Sequence, residues 1–141
     1  MQKRLCGVGI VHQKVRIKVK GAFIMDYNEK VKYLKSYRDK DDRLTFINNQ
    51  LLGIKAISYG LSGAGGHKTT NEYLVEKEEI IDQMFVIEDL INQIPDVGAK
   101  TVLGYKYLQY LTFKEIAVKM NYSFTQIRRL HKRGIDLLNI L

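Results

Sequence analysis

The chain reads as all-α: a long antiparallel helical hairpin followed by a C-terminal three-helix unit. Three observations carry that reading. Apolar residues recur at three- and four-residue spacing over two stretches, residues 26–58 and 70–94. The glycine-rich segment "SYGLSGAGGHKTTN" separates them. Near the C-terminus, Thr112-Phe-Lys-Glu115 and Ser123-Phe-Thr-Gln126 each fit a capping box, the signature of a helix start.

The 141 residues fit one domain or two very small ones. With 45% hydrophobic and 27% charged residues, the composition is ordinary for a globular protein. No apolar run approaches the length needed to cross a bilayer, so no membrane partner is expected. Cys6 is the single cysteine, which excludes an internal disulfide and fits a reducing cytoplasm. His12, His67 and His131 are scattered and form no ligand cluster with Cys6, so no metal is expected; no other cofactor and no enzymatic activity are expected either.

Net charge is +8, and its distribution matters more than its sum. Residues 1–24 carry six bases and no acid, residues 60–95 carry two bases and seven acids, and residues 96–141 carry eight bases and three acids. A basic block that also forms paired helices is an electrostatic footprint for nucleic acid.

Residues 1–24 differ in pattern from the rest of the chain. Val15-Arg-Ile-Lys-Val-Lys20 alternates as a strand would, but no second strand-like run exists to pair with it. Lys20-Gly21-Ala22 can be encoded as AAAGGAGCN, which contains a bacterial ribosome-binding sequence shortly before the Met25 codon. Residues 1–24 are therefore read as a translated leader ahead of a start at Met25, with a native basic arm as the alternative.

The hairpin is assigned to residues 25–95. In its first helix Leu44, Ile47, Leu51 and Ile54 form the stripe, extended upstream by Tyr33 and Tyr37. In its second helix Ile80, Met84, Ile87, Ile91 and Ile94 do so, and Glu72, Glu76, Glu78 and Glu79 favour its positive N-terminal end. Neither stripe is stable in water, and each can cover the other. Leu34, Leu52, Leu74, Ile81 and Phe85 are spare apolar positions, available to the C-terminal unit or to a second copy in a homodimer.

The C-terminal unit is assigned to residues 96–141, after Pro95. Its first helix is expected over Ala99–Tyr110, with Val102, Leu103, Tyr107 and Leu111 inward. Thr112 starts a second helix to Met120, and Asn121 tolerates the left-handed backbone that ends it. Tyr122 is expected to pack inward across the turn. Ser123 caps the third helix, which buries Ile127, Leu130, Gly134, Ile135 and Leu138. Gly134 costs helix stability, about 1 kcal/mol against Ala, and close approach of a neighbouring helix is the expected compensation.

That assignment leaves Phe124, Thr125, Gln126, Arg128, Arg129, His131 and Lys132 facing out, the layout of a helix-turn-helix DNA-binding domain. Arg128 and Arg129 suit guanine, Gln126 suits adenine, and Phe124 or Thr125 suits a thymine methyl, so these five are the expected readers of base edges. Lys114, Lys119, Ser123, His131, Lys132 and Arg133 are the expected phosphate contacts.

"KYLQYLTFKEIAVKMNYSFTQIRRLHKRGIDLL" (106–138) resembles region 4 of bacterial sigma factors, which binds the promoter −35 element. Lys106-Tyr107, Leu111-Thr112, Glu115-Ile116-Ala117, Ser123 and Ile127-Arg128 carry the likeness. With the preceding hairpin and "YLKSYR" (33–38), the chain is similar to phage and prophage transcriptional regulators of the RinA/ArpU type. The resemblance implies a sequence-specific double-stranded DNA-binding activator of a phage or prophage operon, with RNA polymerase as a candidate second partner. Phe124 departs from the sigma pattern, which usually has a polar or basic residue there. No sigma region 2 is present, so promoter melting is not implied.

Three other readings are weaker. "GLSGAGGHKTT" echoes a phosphate-binding loop, but no strand precedes it and Gly66-His67 intrude before Lys68. A small-terminase-like DNA-packaging adaptor joins the same kinds of parts, usually with its DNA reader first. A structural coiled coil leaves the C-terminal basic face without a role.

Overall fold

The computed structural model describes residues 25–57 and 68–139, and these are all-helical, without a strand. The alternating stretch at 15–20, the proposed leader and the glycine-rich segment over 58–67 lie outside the described residues.

Helix α1 spans Tyr27–Ile57. Asp26 starts it, accepting the Glu29 amide at 2.8 Å while the Glu29 carboxylate accepts the Asp26 amide at 2.9 Å. At 31 residues it is about 46 Å long. Helix α2, Thr70–Asn92, begins with a full capping box between Thr69 and Glu72. The two helices pack with antiparallel order of contacts: Tyr37 reaches Glu88, and Arg43 reaches Glu76. The five stripe residues from Ile80 to Ile94 are all buried, as spacing predicted, and they meet Leu34, Tyr37 and Ile47 of α1. Among the spare apolar positions, Leu34 is fully buried, whereas Leu52, Leu74, Ile81 and Phe85 are exposed.

Asp96 caps α3, Val97–Leu103, by accepting the Ala99 amide at 3.1 Å. The expected single helix over Ala99–Tyr110 does not continue in α geometry. Gly104–Leu108 forms a π turn, closed by Gln109 N–H to the Gly104 carbonyl at 3.2 Å. Tyr110 lies just beyond it with φ 62°, left-handed backbone for an aromatic residue.

Helices α4, Phe113–Met120, and α5, Phe124–Leu137, both start at the predicted capping boxes. Asn121 ends α4 at φ 59°, ψ 44°, the left-handed cap its side chain tolerates. Two apolar clusters result. The large one joins α1, α2, α3, the π turn and the end of α5, through Leu34, Ile87, Leu103, Tyr107, Ile135 and Leu138. It therefore crosses the sequence position at Pro95 where a boundary was expected. The small one, under α4 and the first half of α5, centres on Val102, Ile116 and Ile127, each fully buried.

Gly134 explains how α5 is seated. A Cβ there would lie 3.0 Å from the Leu103 side chain and 3.3 Å from the Ala99 carbonyl. The helix approach predicted for this glycine is thus provided by α3.

Candidate nucleic-acid interface

Helix α5 is divided sharply along its length. Ile127, His131, Gly134 and Ile135 face inward, while Phe124, Thr125, Gln126, Arg128, Arg129, Lys132 and Arg133 are exposed. Ser123 Oγ accepts the Gln126 amide at 3.2 Å, and Gln126 Oε1 accepts the Ser123 amide at 2.9 Å. These bonds satisfy amides that a helix start otherwise leaves free and fix where the outer face begins.

The structure gathers Phe124, Thr125, Arg128, Arg129 and Lys132 along one open concavity, together with Tyr27 of α1 and Phe113 of α4. Arg128 lies 6.0 Å from the Phe124 ring centre. Phe113 meets Phe124 edge-on at 6.2 Å, and Phe124 is 42% exposed. Among the described residues neither Arg128 nor Arg129 has a carboxylate within 4.0 Å. Lys132 stands 3.7 Å from Asp136 with its side chain largely exposed.

One expected contact needs correction, and two others already hold partners within the protein. His131 does not face out. It is only 7% exposed, with Nε2 2.7 Å from the Tyr107 hydroxyl and Nδ1 3.4 Å from that of Tyr27, and Phe113 edge-on at 5.1 Å. Burial first, and then the nearby charges of Lys106, Arg128 and Lys35, push its pKa down to about 4, so at neutral pH it is an uncharged core residue and not a phosphate contact. Gln126 is exposed, and its amide oxygen accepts the Ser123 amide in the cap, so one of that oxygen's two lone pairs is already used. Arg133 Nε lies 2.7 Å from Asp96, tying α5 to the start of α3, so part of its charge is already answered.

Lys114 and Lys119 are exposed on α4 but line a separate depression with Val118 and Leu111. Lys119 sits 5.4 Å from the Tyr105 ring centre. Tyr122, expected inward, is 45% exposed.

Residues at this surface that were not among the expected contacts are Tyr27, Phe113 and Lys106. Lys106 Nζ lies 4.6 Å over the Phe113 ring. His131 had a legible signal, since it shares the i, i+4, i+7 stripe of Ile127 and Gly134. Tyr27 had none, being 104 residues from the histidine it touches.

Among the described residues no group of His, Cys, Asp and Glu is arranged to hold a metal ion, and no helix is long and apolar enough to cross a membrane. Comparison with known proteins finds no matching family model, no similar curated protein and no similar solved structure.

Proposed function

We propose that the chain is a sequence-specific double-stranded DNA-binding regulator of transcription, with α4 and α5 as its helix-turn-helix and α1–α2 as its helical hairpin. The observation that carries this is the outer face of α5. Thr125, Arg128 and Arg129 project beside open surface from the first turns of a helix that buries Ile127, His131, Gly134 and Ile135 on its other side. An α-helix fits the major groove, where arginine reads guanine at two points and small polar or apolar groups read the thymine methyl. Lys132, with part of the charge of Arg133, serves the phosphates on either side. The likeness of residues 106–138 to sigma region 4 supports a role at promoters, that of an activator in a phage or prophage, with RNA polymerase as second partner. Such a protein works in the cytoplasm.

The exposed α2 stripe Leu74, Ile81 and Phe85 offers a second copy a surface for a homodimer, with Phe85 66% exposed. Sedimentation equilibrium of the wild type and Phe85→Glu tests that assembly: a monomer in both removes it.

The reading of α5 is tested by selecting duplexes from a random-sequence pool and measuring mobility shifts with wild type and Arg128→Ala/Arg129→Ala. The expected result is a defined motif for the wild type and loss of that preference in the variant. Equal preference in both proteins overturns the assignment of α5.

A further inference from the structure

Beside the α5 concavity lies a second one, lined by Lys35, Arg38, Asp39, Lys106, Tyr107 and Tyr110. Two contacts join them: Tyr107, from the second, is hydrogen-bonded to His131, from the first, and Lys106, from the second, lies over the Phe113 ring, from the first. Cations converge here from three elements, Lys35 and Arg38 from α1, Lys106 from the π turn and Arg128 from α5. Among the described residues none of the four has a carboxylate within 4.0 Å. Three of them lie over aromatic rings instead, Lys106 over Phe113, Arg38 at 5.2 Å from Tyr110, and Arg128 by Phe124. A ring orients a cation without neutralising it.

The backbone under this surface is irregular in two places. A π turn carries Lys106 and Tyr107, and Tyr110 is held left-handed. Such features persist where the surroundings hold them, and they cluster at functional sites. Here the Tyr110 hydroxyl donates to Asp41 at 2.7 Å, and the ring lies beneath Arg38. Among the described residues Asp39 is the one carboxylate lining the second concavity.

We propose that a duplex held by α5 continues over the α1 and π-turn face, where Lys35, Arg38 and Lys106 neutralise backbone phosphates beside the segment α5 reads. The proposal rests on the DNA-binding reading of α5. It makes the first helix part of the DNA interface as well as of the core. Phosphate contacts carry no base information, so these residues add affinity and register without selectivity.

The test uses the full chain, by fluorescence anisotropy across a potassium chloride series, on the selected duplex and on a scrambled one. Each phosphate contact contributes about 0.9 to the slope of log affinity against log salt. Lys35→Gln/Arg38→Gln/Lys106→Gln should lower that slope by about 2 to 3 and weaken both duplexes by the same factor. Lys77→Gln, on α2, should leave the slope unchanged. If the triple variant melts early, the single variants Lys35→Gln and Lys106→Gln carry the test, each losing about 1 from the slope. An undiminished slope in the triple variant, or an equal fall with Lys77→Gln, overturns the extended footprint. When Arg128→Ala/Arg129→Ala abolishes selectivity while the triple variant keeps its full slope, only the extension falls. When the arginine variant behaves as wild type, or the wild type binds no duplex, both readings fall.

Discussion

The two helix pairs of this molecule use charge in opposite ways. Between α1 and α2, charge is consumed: Arg43 and Lys68 both end on Glu76, at 2.6 and 2.7 Å, and Tyr37 donates to Glu88. The two bases hold the Glu76 carboxyl down to a pKa of about 2. On α5, charge is left open: Arg128 and Arg129 face out with rings or solvent beside them. The pairs also differ in depth. The first shares a large apolar cluster with half the molecule, whereas α4 and the start of α5 stand on three fully buried residues. Helices built to stay together spend their polar groups on each other, and the surface that does not is the one available to a partner.

The sharpest way to break this contrast is to remove the small cluster. Ile127→Ala should cost about 3 kcal/mol, because a fully buried branched side chain is lost where little else can collapse into the space. Urea unfolding measures it, and a loss below about 1 kcal/mol means the small cluster is not what seats α5. Arg128→Ala should leave stability nearly unchanged and weaken binding to the selected duplex by about 1–3 kcal/mol. Anisotropy titration checks that, and the opposite pattern would mean that Arg128 belongs to the fold.

His131 joins the two regions, and pH probes it. Its pKa is about 4 in the folded protein, against about 6.5 when exposed. The unfolded chain therefore takes up a proton that the native state does not. The stabilisation is complete above pH 6.5 and is lost as pH falls from about 6.5 toward 4, with a slope of at most about 1.4 kcal/mol per pH unit. His131→Gln should flatten that part of the stability profile. A smaller effect is expected at the cap: Ser123→Ala should cost about 1 kcal/mol, read as a lower melting temperature.

Much of this architecture is legible in the sequence. The starts of α4 and α5 are set by their capping boxes, the end of α4 by Asn121, and the buried face of α2 by its isoleucines. Gly134 announces a close neighbour, although spacing cannot name Leu103 and Ala99. The π turn is not legible, because a bond to the fifth residue leaves no side-chain signature and Gly104–Leu108 reads as ordinary helix. Charge misleads at His131. A titratable residue among bases suggests an outer face, but tertiary neighbours decide whether it titrates or pairs. The convergence of Lys35 and Lys106 is equally hidden, since only the fold brings α1 alongside the π turn. A third capping box, at Thr69, is present in the sequence, but the acidic run around Glu72 reads first as helix-dipole charge.

The large cluster has a practical consequence for anyone wishing to cut the molecule. Leu103, Tyr107, Ile135 and Leu138 lie on one side of Pro95 and Leu34, Ile47 and Ile87 on the other, yet they share one interior. A fragment beginning at Asp96 would carry a greasy scar the width of that seam, and would be expected to clump or to borrow a neighbour's surface. Reporter fusions and crystallisation trials are better served by the uncut polypeptide.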